Sequence, residues 1–220
     1  MPNSLKKIAL DLIVFDLDGT LADSLADLTT AANYACRRLG LPECSPEQVA
    51  GMIGGGERKF MERLAGPEHQ DLVDKCLAIY LDYYSLHAAD LTRLYPGVQE
   101  TLEKLRGKKL AVLSNKLQRL TEQVLQALGI APLFSASRGG GAGLPLKPEA
   151  APLTALIQEL QAQPDRTLMV GDKLADINTA RGAGTYIAAV TYGYGGLESL
   201  HAAKPDFLLA RFGQLLDIVE

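Results

Sequence analysis

The chain of 220 residues has no tryptophan, and only three of its residues are cysteine and three histidine. Cys36, Cys44 and Cys76 are odd in number and form no CxxC pair, which speaks against a disulfide scaffold. Reduced thiols in a cytoplasmic protein are expected instead. His69, His87 and His201 show no metal-ligand spacing. Lysine and arginine never cluster into a run, and the net charge is -4, so nucleic acid is not the expected partner. Long apolar runs are also missing. None approaches the roughly 20 residues of a membrane span. The N-terminal run ILE-ALA-LEU is interrupted by Asp11 and stops at Asp16, which is no secretory signal. With 47% hydrophobic and 22% charged residues, what remains is an ordinary globular chain. Its length suits one large domain, or a core with a modest insert.

The hydrophobic pattern divides the chain. Leu12 to Phe15 is a short apolar run ending at an acid, the mark of a strand buried on both faces of a parallel sheet. From Ser24 to about Ala89 the signals are helical only. Ser24 and Asp27 suggest a capping box ahead of Leu25, Leu28, Ala31, Ala32, Ala35 and Leu39, and Gly40 is a natural stop. Ser45, Pro46 and Gln48 mark a second helix start. Gly54-Gly55-Gly56 breaks the chain before Phe60, Met61 and Leu64 resume helical spacing, and a longer helix follows Pro67. Tyr80, Tyr83 and Tyr84 on that helix read as packing residues. After Tyr95-Pro96-Gly97 the pattern alternates. Helix 98–106, strand 110–113, helix 117–128 and a short strand 133–136 come first. Then follow a helix near 149–160 and strands at 167–170, 186–190 and 207–209. Alternation predicts an α/β fold with a doubly wound parallel sheet. Residues 1–21 and 95–220 are assigned to it, and 22–94 to a small α-helical cap domain inserted after the first strand. Gly139 to Gly143 lacks a following GK[ST] and reads as a flexible connector, not a nucleotide loop.

Polar residues collect at the predicted carboxyl ends of strands, where open parallel sheets bind ligands. Asp16 and Asp18 follow the first strand, Ser114 the second, Lys147 lies in a loop, and Asp172 and Asp176 follow a later strand. Asp16 and Asp172 are hard oxygen donors of the kind magnesium prefers.

In chain order, Asp16-Leu17-Asp18-Gly19-Thr20, Ser114-Asn115, Lys147-Pro148 and Gly171-Asp172-Lys173-Leu174-Ala175-Asp176 resemble the four motifs of the haloacid dehalogenase superfamily. The resemblance spans nearly the whole chain and implies a phosphatase acting through an aspartyl phosphate on Asp16. It makes Asp18 the general acid and base, and its carbonyl a metal ligand. Thr20, Ser114 and Asn115 would hold the phosphoryl group, with Lys147 balancing charge. Asp16, Asp18 and Asp172 would hold Mg2+, supported by Asp176. Position 173 departs from the Ser or Thr of many capped relatives. Its lysine is taken to be a solvated side chain.

Thr191-Tyr192-Gly193-Tyr194-Gly195, Lys204-Pro205-Asp206 and the triple-glycine turn resemble the phosphoglycolate phosphatase subfamily. The resemblance therefore implies a small phosphate ester as partner, 2-phosphoglycolate first, with Arg58 or Lys59 meeting the substrate carboxylate. It leaves open phosphatases for sugar phosphates, pyrophosphate or nucleotides, a sugar phosphomutase, and a non-enzymatic regulatory or scaffold protein on the same fold. No membrane partner is implied, and the chain is expected to be a monomer or homodimer.

Overall fold

The computed structural model describes residues 7–141 and 143–220. The N-terminal six residues of the expected core segment, and Ala142 of the glycine-rich stretch, lie outside the described residues. Strands β1 (Leu12–Phe15), β4 (Lys109–Leu117), β5 (Ala136–Gly140), β6 (Thr167–Gly171), β7 (Tyr186–Val190) and β8 (Phe207–Leu209) form one parallel sheet in the order β5-β4-β1-β6-β7-β8. The chain winds outward from β1 in one direction and then returns to wind in the other. That reversal places the carboxyl ends of β4, β1 and β6 side by side. The doubly wound α/β fold expected from the alternation is therefore present.

Alternating side chains of β1 serve opposite faces. Ile13 and Phe15 join one hydrophobic cluster, Leu12 and Val14 the other. The first face is covered by α5 (Val98–Lys104), α6 (Gln118–Ala127) and α10 (Leu215–Ile218). The second is covered by α7 (Ala151–Glu159), α8 (Leu174–Ala183) and α9 (Leu197–Ala203). Being buried on both sides, β1 needs no polar alternation.

Between β1 and β4 lie four helices, α1 (Leu25–Leu39), α2 (Pro46–Met52), α3 (Gly56–Ala65) and α4 (Val73–His87), with a 3-10 segment at Pro67–Leu72 before the last. Tyr34 of α1 stacks on Tyr83 of α4 at 4.4 Å, and Phe60 of α3 meets Tyr80 of α4 edge-on at 5.6 Å. Ser45 caps α2 with the reciprocal Gln48 bond that its sequence announces. Ser24 precedes α1, but the capping box expected with Asp27 does not form, because both side chains are engaged elsewhere. The stretch is also not wholly helical at its margins. β2 (Ala22–Asp23) and β3 (Arg93–Leu94) pair antiparallel where the chain leaves and rejoins the sheet domain.

Gly139 and Gly140 are a second departure from expectation. They belong to β5 and not to a loop. A Cβ on Gly139 would lie 2.6 Å from the Lys116 carbonyl oxygen, so this position has no room for a side chain. No described helix is long and apolar enough to cross a membrane.

Candidate active site

Asp16 leaves β1 as its last backbone hydrogen bond, N–H to the Val170 carbonyl at 2.9 Å, anchors it beside β6. The chain then turns sharply. Gly19 adopts φ +85°, and a Cβ there would sit 2.5 Å from Asp172 Oδ2, so only glycine lets the turn pass this close. Asp172 leaves β6 alongside, and Asp176 projects from the first turn of α8, where it accepts from the Lys173 amide at 3.0 Å.

The carboxylates of Asp16, Asp172 and Asp176 offer oxygens that all lie within 4.8 Å of one another, and all three residues are buried. One ammonium stands among them. Lys147 Nζ reaches Asp16 Oδ1 at 2.8 Å, Asp176 Oδ1 at 2.7 Å and the Leu113 carbonyl at 2.9 Å. Asn115 fixes the lysine's backbone reciprocally, donating to its carbonyl and accepting from its amide, both at 2.8 Å. Burial alone would lower the pKa of Lys147. Asp16 and Asp176 outweigh that and hold it above the ordinary lysine range. Burial raises Asp16 to about 6 against the pull of Lys147. It raises Asp172 to about 7, reinforced by the charges of Asp16 and Asp176. Lys147 pairs with only Asp16 and Asp176 of the three carboxylates, and the negative charge left over is one that a divalent cation would neutralise; the all-oxygen donor set suits a hard ion.

Asp172 is held from three more directions. Thr20 Oγ1 donates to its Oδ1 at 3.3 Å, and the amides of Tyr194 and Gly195 donate to its Oδ2 at 2.7 and 3.2 Å. Thr20 thus touches the acid cluster and is fully buried.

Asp18 belongs to a different set. Its Oδ1 accepts from Ser24 Oγ at 2.5 Å, and its Oδ2 pairs with Lys116 Nζ at 3.2 Å. Lys116 also donates to Tyr84 Oη at 2.9 Å. Glu57, at the start of α3, accepts from the Leu117 amide at 2.8 Å, and burial raises its pKa against the pull of Lys116. Helices of the insert therefore seat directly on the end of β4. Lys116 and Glu57 carry no motif to mark them as site residues, and Ser24 was expected only as a helix cap. The one usable signal was a lysine immediately after Ser114-Asn115. Tyr80 and Tyr84, expected to be packing residues only, respectively line the pocket and hold a site lysine.

The pocket is lined by both parts of the chain. The sheet domain gives Asp16, Asp18, Ser114, Asn115, Lys116, Lys147, Lys173 and Asp176. The insert gives Leu28, Ile53, Gly54, Gly56, Glu57, Phe60 and Tyr80. Arg58 corrects an expectation. It is exposed, and both its terminal nitrogens donate to Asp74 Oδ1, at 3.0 and 2.7 Å. Glu57 and Phe60 occupy the inward face of α3, and helical spacing turns position 58 outward. Lys59 is likewise exposed. Lys173 corrects another. It lines the pocket, half-buried, instead of standing in solvent.

A curated phosphoglycolate phosphatase of Vibrio parahaemolyticus is 37% identical over 94% of this chain and 95% of its own length. One from Aquifex aeolicus is 35% identical over 95% and 96%. The crystal structure of a predicted phosphoglycolate phosphatase from Haemophilus somnus superposes with a TM-score of 0.85 at 33% identity, covering 94% of this chain and 96% of that one. The family model of haloacid dehalogenase-like hydrolases matches residues 13–190, from β1 through β7. The chain belongs to the haloacid dehalogenase-like hydrolase family.

Proposed function

We propose that the chain is a magnesium-dependent phosphatase of small phosphate monoesters, 2-phosphoglycolate first among them, working in the cytoplasm. The observation that carries this reading is the pairing of Asp16 with Lys147 inside an acidic cluster, while Asp18, two residues on, is held apart by Ser24 and Lys116. Two carboxylates with separate partners suit two separate jobs.

Asp16 attacks phosphorus, forming the Asp16 Oδ–P bond as the bond to the ester oxygen breaks. Asp18 delivers a proton to the departing alkoxide. It then takes a proton from the water that attacks the aspartyl phosphate, which returns Asp16 as a free carboxylate and releases inorganic phosphate. Lys147 keeps Asp16 in place and balances the phosphoryl charge. Ser114 and Asn115, both on the pocket wall, serve the non-bridging oxygens. Thr20 orients Asp172. Asp16, Asp172 and Asp176 would hold the magnesium ion, with the Asp18 carbonyl as the ligand that the family resemblance adds. The ion supplies charge neutralisation at the phosphoryl oxygens. Residues 22–94 act as the cap domain, whose apolar residues Leu28, Ile53 and Phe60 keep bulk water from the intermediate.

The reading is tested by assaying purified protein on a panel of phosphate esters, with magnesium and with excess chelator. Phosphoglycolate should be turned over fastest, and chelator should abolish turnover. Full activity in chelator would end the metal assignment. Faster hydrolysis of neutral sugar phosphates would overturn the substrate choice.

A further inference from the structure

Three lysines line the pocket, and they differ in what they face. Lys147 is taken up by Asp16 and Asp176, and Lys116 by Asp18 and Tyr84. Lys173 joins none of the ion pairs found among the described residues. Its Nζ donates to the Ile53 carbonyl across the pocket at 2.5 Å and lies 5.7 Å from the centre of the Tyr194 ring. An ammonium has three N–H donors, so one is used on a neutral carbonyl and two remain.

Lys173 and Gly54 both line the pocket, and Gly54 faces the ammonium with no side chain of its own; an added Cβ would touch it, 3.7 Å from Nζ. Lys173 follows Asp172 directly, which puts its reach beside the acid cluster where the phosphoryl group would sit. Arg58 and Lys59 are exposed and do not line the pocket, and its carboxylates Asp16, Asp18, Glu57 and Asp176 repel a second anion.

We propose that Lys173 is the specificity residue of this pocket, receiving the carboxylate of a small ester whose phosphoryl group lies against Asp16. The proposal rests on the reading of the chain as a phosphatase for a small carboxylated ester. It also gives the Ile53–Gly54 turn a purpose. A carboxylate bound to Lys173 lies under the insert, so the same ammonium contacts both the substrate and the part of the chain that covers it.

The experiment compares 2-phosphoglycolate with 2-hydroxyethyl phosphate, an ester of similar size with a hydroxyl in place of the carboxylate, on wild type, Lys173→Met and Lys173→Arg. Because the readout is the ratio of kcat/KM values within one preparation, loss of folded enzyme cancels. Lys173→Met should lower the ratio by about 10- to 100-fold, mainly through the KM for phosphoglycolate, as expected for removal of a charge-assisted hydrogen bond. Lys173→Arg should restore most of it. An unchanged ratio in Lys173→Met overturns the proposal. So does an unchanged ratio accompanied by a higher half-saturating magnesium concentration, which would place Lys173 in the metal site. Wild type preferring the ester without a carboxylate would instead overturn the substrate reading itself, before any variant is measured.

Discussion

Asp16 and Asp18 stand two residues apart yet face different partners, and the difference separates their expected defects. Asp16→Asn should lower turnover by at least about 10^3-fold, since an amide is no substitute for an attacking carboxylate. Asp18→Asn should slow turnover by about 10^2- to 10^4-fold by removing the proton donor and acceptor. Mass spectrometry of enzyme quenched during turnover should find the phosphoryl group on Asp16, and a label on another residue would contradict the assignment. Asp16, Asp172, Asp176 and Lys147 were legible because each sits where a strand or its following loop meets the carboxyl edge of the sheet, and because their chain order matched a family pattern. Lys116 and Glu57 were not legible. A lysine is buried only if something covers it, and what covers Lys116 is Tyr84, 32 residues before it in the chain. Arg58 was misplaced for a local reason, since one helical step of about 100° separates an inward residue from an outward one.

Elements show the same division between local and distant causes. The Ser45–Gln48 cap of α2 is local, satisfied by its own neighbours, and Ser45→Ala should cost about 1 kcal/mol. Asp27 looks like part of a similar cap on α1 but does something else. Its carboxylate accepts from the amides of Leu91 and Thr92 and from the Thr92 hydroxyl at 2.7 to 3.1 Å, tying the start of the insert to its end. Asp27→Ala strands the buried amide and hydroxyl of Thr92 and the part-buried amide of Leu91, and should cost about 3 kcal/mol, well above the Ser45 variant. Urea denaturation of both variants checks this, and equal losses would remove Asp27 from that role. Helices and most strands of the sheet could be read from periodicity. The two-residue strands β2 and β3 could not, because two residues have no period. Nor could β5, whose Gly139 and Gly140 resemble a loop until the backbone of β4 is placed against them.

For the molecule as a whole, the acid cluster ties stability to pH and metal together. Asp16 and Asp172 have folded-state pKa values raised above 3.8, to about 6 and about 7. In metal-free protein their contribution to stability is therefore full below pH 3.8 and lost as pH rises through those values. A cation needs the ionised carboxylates and so competes with protons. Magnesium should accordingly raise Tm more at pH 8 than at pH 6, with apparent affinity roughly tenfold weaker at the lower pH. Thermal melts over a magnesium series at both pH values measure this, and an equal shift at both would show that these carboxylates do not bind the ion. One consequence of the β2–β3 ribbon remains. Its first strand begins one residue after Leu21, the Gly19 amide donates to the Ala22 carbonyl at 2.9 Å, and Ser24, just beyond, holds Asp18. The β2–β3 ribbon and the turn that carries Asp18 are one continuous piece of chain. If residues 22–94 move as the proposed cap, Ser24 travels at the root of that movement, so the hold on Asp18 is tied to the position of the insert, like a trigger mounted on the door it guards.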